Sequence, residues 1–144
     1  MSEIKNVIAV PHVSHPCHVV RPDEAYTGKQ GLTYVAGISV RSVVSRGLCM
    51  HLVHLPPGAR TAPHVHQHHE TAVYVLRGEV QIWYGDQLEH QAVVRAGEFR
   101  HIPAGVLHHP FNATETHALA VLACTDLHEQ ESVVLLPELD RPHP

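Results

Sequence analysis

Short apolar or alternating runs, each broken by glycine or proline, fill most of this chain. Residues 6–20 alternate weakly around Pro11 and Pro16, which predicts a short edge strand or an extended arm. Residues 21–31 are polar, with Pro22, Gly28 and Gly31, and predict a loop. Leu32 to Val44 is rich in β-branched residues and reads as a strand, broken at Gly47. Leu48 to Leu55 is another strand, closed by Pro56-Pro57-Gly58. Pro63 and the polar QHHE at 67–70 bracket His64-Val65-His66, and Ala72 to Leu76 runs on to a turn at Gly78. Glu79 to Tyr84 alternates with period two, Gly85-Asp86 turns, Leu88 to Arg95 returns, and Ala96-Gly97 turns again. Phe99–Ile102, Val106–Phe111 and Thr116–Thr125 follow, the last apolar enough for a central strand. In the tail, ESVVLL at 131–136 suits a strand or a helix.

No helical stripe persists for about ten residues before the tail. Recurrent short strands with turns between them predict an all-β sandwich or barrel. At 144 residues the chain suits one domain with a substantial core. The barrel core is expected at about 32–125, with an N-terminal arm at 1–31 and a C-terminal tail at 126–144.

The net charge is -4 and no basic stripe occurs, which argues against a nucleic-acid partner. No run approaches the ~20 apolar residues of a membrane span. The N-terminus lacks a long apolar run behind a basic end, so no signal peptide is expected and the cytoplasm is the default. Cys17, Cys49 and Cys124 are far apart and lack CxxC spacing, and are read as reduced, mostly buried small apolar residues.

Histidine changes the picture: the chain has 16, spread along its length. His64 and His66 are two apart, so on a strand they project from one face. Two strands joined by a His-rich connection can gather several ligands around one metal ion. Two spaced patterns extend this. The first is Gly58, five residues, His64, one residue, His66, three residues, Glu70, then Gly78. The second is Gly97, five residues, Pro103, one residue, Gly105, two residues, His108, three residues, Asn112. Together they resemble the two motifs of the cupin superfamily over about Leu48 to Leu122.

The resemblance implies a double-stranded β-helix, a jelly-roll barrel of two antiparallel sheets. It implies that His64, His66 and His108 bind a divalent metal, zinc foremost, with iron, manganese or nickel as alternatives. Three imidazoles would leave positions open for substrate. The family's glutamate sits seven residues before the first motif's last glycine, a position held here by Thr71. Alternation puts Thr71, Val73 and Val75 on one face, with His69, and turns Glu70 outward. Three readings stay open: a bulge turns Glu70 inward; His69, or less readily His68, replaces it; or the site has three histidines only. His101 shares parity with Phe99 and is a candidate cavity contact. Glu70, if not a ligand, or a neighbouring histidine such as His101 would move the proton. His109 is expected to pack on the opposite side from His108, and Asn112 to anchor backbone.

Family likeness further implies a small-molecule substrate and a homodimer formed through sheet edges. The expected activity is metal-dependent, with the ion as Lewis acid on an oxygenated, aromatic or polyketide-like substrate, of cyclase, isomerase or dioxygenase type. The competing class is a non-catalytic metal- or ligand-binding module, because one fold hosts many functions.

Overall fold

The computed structural model describes residues 17–126 and 133–140. The expectation for residues 6–16 lies outside them, and residues 17–20 form no regular structure. The strands are β1 (Ala25–Thr27), β2 (Thr33–Ile38), β3 (Cys49–Leu55), β4 (His64–His66), β5 (Thr71–Arg77), β6 (Glu79–Tyr84), β7 (His90–Arg95), β8 (Phe99–Ile102), β9 (His108–Phe111), β10 (Ala118–Cys124) and β11 (Val133–Leu135). They build two antiparallel sheets, ordered β1-β2-β3-β10-β5-β8 and β11-β4-β9-β6-β7. This is an all-β architecture, as the turn spacing predicts, and the double-stranded β-helix that the family resemblance implies.

Three local features differ from expectation or resolve it. The β-branched run 32–44 is not one strand: after Ile38 it becomes a helical turn, Val40–Val43. Ser39 caps it, its side chain accepting from Arg41 N–H while Ser42 Oγ accepts from Ser39 N–H. These reciprocal bonds outweigh the strand preference of valine, as capping boxes do. The ambiguous tail segment forms β11, which pairs with β4 from Val133↔His66 to Leu135↔His64. Pairing with a neighbour far away in sequence decides it, so local pattern does not.

The third is a correction. Cys49 and Cys124 are not reduced thiols: they form a disulfide. They stand directly opposite each other across the β3–β10 ladder. A sequence separation of 75 hides this juxtaposition, because only sheet register creates it. Cys17 is a free cysteine and is exposed, not buried.

Between the sheets, Leu32, Tyr34, Val53, Leu55, Val75, Val80, Ile82, Val94, Ala118 and Ala120 form one buried cluster. β3, β6 and β10 each contribute a pair two residues apart, as the pleat requires. Gly78, the last glycine of the first motif, links β5 to β6 at φ 73°. A Cβ there would lie 3.0 Å from the Ala118 backbone, so β10 passes too close for a side chain. Asn112 does anchor backbone. Its Nδ2 donates to Leu55 O and Thr116 O at 2.8 and 2.7 Å, and its Oδ1 accepts from Thr114 N–H and Oγ–H.

Two stability outcomes follow from these ties. Asn112→Ala strands the Leu55 and Thr116 carbonyls and is expected to cost about 1–3 kcal/mol in urea unfolding. The double variant Cys49→Ala/Cys124→Ala is expected to lose about 2–4 kcal/mol by the same measure, and dithiothreitol should lower wild-type stability while leaving the double variant unchanged.

Candidate metal centre

The centre begins with the sequence His64-Val65-His66 on β4. Alternation buries both histidines, at 3% and 4% exposure, on the inner face. Antiparallel pairing with β9 then sets His108 directly opposite His64. One ring nitrogen from each of the three lies within 4.8 Å of the others. Ring centroids are 4.2 Å apart for His64–His108, 5.1 Å for His64–His66 and 5.4 Å for His66–His108.

Backbone carbonyls orient two of the rings. His64 Nδ1 lies 2.7 Å from Ala62 O, and His108 Nδ1 lies 2.9 Å from Val106 O. A carbonyl only accepts, so each Nδ1 carries the proton and each Nε2 keeps its lone pair. Carbonyl support of this kind fixes the tautomer of metal-ligating histidines. His66 Nδ1 is buried without a hydrogen-bond partner.

Burial keeps the cluster uncharged. Desolvation is the main reason that all three titrate low; neighbouring histidines add to it for His64 and His66, and Arg100 and His69 for His108. His64 lies well below the usual histidine range, His66 falls to about 3 and His108 to about 4. Neutral imidazoles at neutral pH are the form that binds a metal.

Around this triad the remaining candidates separate into inner and outer groups. Thr71, at the position of the family glutamate, is 2% exposed, lines the triad's cavity, and has a buried Oγ1 without a hydrogen-bond partner. His69 is buried, with its ring 4.4 Å from His66 and its Nδ1 3.0 Å from Asp126 Oδ2. It stands beside the triad, not among the three converging nitrogens. Glu70 faces outward. Its Oε1 pairs with His101 Nε2 at 3.0 Å, with side chains 60% and 62% exposed. The β5–β10 register shift falls at Leu119/Ala120, at the far end of β5 from Glu70. On β8 the inward positions are Arg100 and Ile102. Phe99 and His101 point out, and the Phe99 ring packs at a tilt against Tyr74, centroids 4.7 Å apart. His109 is buried and packs near Phe111. Sequence reasoning passed over Asp126 and Arg100. Asp126 carries no local signal, whereas Arg100 is legible once Ile102 is known to face inward.

Beyond the histidines, the cavity walls are mainly aliphatic, with Leu32, Val53, Leu55, Val80, Ile82 and Ile102 among them, and Gln30, Tyr34, Thr61 and Thr71 add polar groups. Its empty space is roughly 540 Å³, counting the open mouth. No carboxylate lines it among the described residues.

Residues 51–124, just over half of the chain, match the family described as "Cupin domain". The chain belongs to the cupin family. It is 33% identical over 96 residues to germin-like protein 3-5 of Oryza sativa subsp. japonica, covering 63% of this chain and 41% of that protein. It is 32% identical over 96 residues to oxalate oxidase GF-3.8 of Triticum aestivum, covering 63% and 42%. The cupin thus spans less than half the length of these relatives. Among solved structures, an oxalate oxidase in complex with the substrate analogue glycolate is similar at TM-score 0.64 and 26% identity, covering 77% of this chain and 58% of that one. A sugar phosphate isomerase from Silicibacter pomeroyi shares the fold at TM-score 0.56 and 22% identity, covering 69% and 66%.

The donor set of this cupin fits a divalent metal ion. Three neutral nitrogens converge, two on rings whose other nitrogen donates to a backbone carbonyl, and one side of the cluster opens on the cavity. Among the described residues no helix is long and apolar enough to cross a membrane.

The lowered pKa values set a direction for acid sensitivity. The folded state refuses protons that the unfolded chain accepts below about pH 6.5. The histidines' contribution is therefore fully present above that pH and is lost as pH falls toward about 4. Thermal unfolding of metal-free protein should show Tm falling steadily between about pH 7 and pH 5, with a shallower slope in His66→Gln. A flat wild-type profile would contradict the buried, neutral triad.

Proposed function

We propose that this cupin is a metal-dependent enzyme acting on a small oxygenated organic molecule, with His64, His66 and His108 holding a divalent ion. One observation carries the reading: three buried, uncharged imidazoles converge on an accessible apolar cavity with no carboxylate in its described walls. The bound ion would supply Lewis acidity, polarising a substrate oxygen. Three neutral ligands leave its double charge uncompensated, so the site favours an anionic or enolic oxygen. Zinc suits these ligands and would favour cyclisation or isomerisation.

The chain's own groups have distinct tasks in this reading. Ala62 O and Val106 O keep the His64 and His108 lone pairs aimed inward. The Thr71 hydroxyl is free to donate to a substrate oxygen beside the triad. The aliphatic walls exclude water and orient the substrate body. His69, backed by Asp126, buttresses His66. Glu70 and His101 lie outside the histidine cavity and are not needed for these tasks.

A second reading, oxidation of a small carboxylate, is favoured by the similarity to proteins named oxalate oxidases. Two further proposals accompany the function. The outer face of the six-stranded sheet exposes Met50, Leu76 and Phe99, which supports a homodimer. The Cys49–Cys124 disulfide supports folding in oxidising surroundings instead of the cytoplasm expected from sequence.

Elemental analysis of tag-free protein tests the central reading. About one equivalent of metal is expected in the wild type, lost in His64→Ala and His108→Ala and retained in Glu70→Gln and His101→Ala. Zinc supports Lewis-acid chemistry. Iron, manganese or nickel, with oxygen uptake on oxalate or glycolate, supports the oxidase reading. No metal after reconstitution overturns both.

A further inference from the structure

Strand β8 lies at the edge of the six-stranded sheet, and one of its two inward positions is occupied by a cation, Arg100. Across the β5–β8 ladder it stands opposite Val73, which lines the histidine cavity. Its guanidinium lies over the Tyr84 ring, 4.5 Å from the centroid. Nε is buried without a hydrogen-bond partner. Among the described residues no carboxylate pairs with Arg100. It borders a second pocket, of roughly 440 Å³ counting open space, together with Tyr84, His101 and Pro103. Ile82, Ile102 and His108 belong to the walls of both this pocket and the histidine cavity, so the two spaces adjoin.

Arg100 is half-buried, and its Nε is shut off from water with no counter-ion among the described residues, an arrangement that disfavours the charge until an anion meets it. Stacking on Tyr84 occupies only the face of the guanidinium. Its N–H donors lie in the plane of the group and remain directed at whatever enters the pocket edge-on. We propose that Arg100 is an anion anchor, and that the ligand of this cupin carries a carboxylate held there as well as oxygen atoms facing the histidine triad. A carboxylate fits better than a phosphate. A single planar fork matches its two oxygens, whereas a dianionic phosphate would need further donors: of the other wall residues, His101 is already paired with Glu70, His108 Nδ1 is turned to Val106 O, and Tyr84, Pro103, Val106 and the two isoleucines carry no charge. The absence of an inner carboxylate works in the same direction, because Thr71 occupies the glutamate position and leaves the cavity without negative charge.

This inference rests on the metal reading for the second half of the ligand, and its test separates the two. Wild type, Arg100→Gln and Arg100→Lys are loaded with Co(II), whose visible spectrum reports the histidine site. Each is then titrated by calorimetry with malonate, succinate and glutarate, and with propionate, butyrate and valerate as length-matched monocarboxylates. At least one dicarboxylate should bind wild type about tenfold or more tightly than its monocarboxylate, the scale of a charge-assisted hydrogen-bond pair. Arg100→Gln should erase that difference and Arg100→Lys should keep part of it, while the Co(II) affinity and spectrum of both match wild type. A preference that survives in Arg100→Gln, or no preference in wild type, overturns the anchor and leaves the metal site standing. If wild type takes up no Co(II), the metal reading fails and the titration of metal-free protein decides the anchor. Dicarboxylate binding lost in Arg100→Gln then supports it, and no binding overturns it.

Discussion

His64 faces His108 across two antiparallel strands, and the rest of the site depends on that register. Side chains alternate with period two, so a slip of one residue between β4 and β9 would send His64 and His66 into solvent and bring Val65 inward. Several distant ties hold the register. β11 covers the other edge of β4, and Leu136 N–H donates to Pro63 O. Gly105 N–H donates to His66 O, tying the loop before β9 to the strand that carries the other two histidines. Asn112, four residues beyond His108, bonds to Leu55 at the end of β3. The second motif therefore supplies both a ligand and the bond that keeps its strand in place.

Charge divides the surroundings of the triad. Inside are neutral imidazoles, a few uncharged polar groups and mainly aliphatic walls; outside, Glu70 and His101 pair with each other on the surface. A carboxylate left unpaired in such a cavity would be expensive, whereas on the surface it costs little. Glu70, the acid four residues beyond His66 in the sequence, is thereby separated from the histidine triad by one residue of strand alternation. Thr71 takes the inner place with a short polar side chain.

One register also joins features that have no local connection. Cys124 stands opposite Cys49 on one side and opposite Thr71 on the other. Thr125 Oγ1 accepts from Glu70 N–H, Thr125 N–H donates to Glu70 O, and Asp126 reaches His69. The end of β10 thus links the disulfide, the glutamate-position threonine and the histidine beside the triad.

What the chain determined by itself is its periodicity, punctuation and ligand spacing. Gly78, Gly97 and Pro56-Pro57-Gly58 mark the turns, and His64-Val65-His66 places two ligands on one face because alternation is a local property of extended backbone. Counting back from Gly78 already pointed to Thr71 as the inner residue. Tertiary structure decided everything that depends on which distant strands pair. That includes β11 as a strand, the disulfide, Asp126 against His69, and the choice of Arg100 over His101 as the inward residue of β8. Parity says only that two neighbours face opposite ways. Which of them meets the core is settled by the partner sheet that buries Ile102.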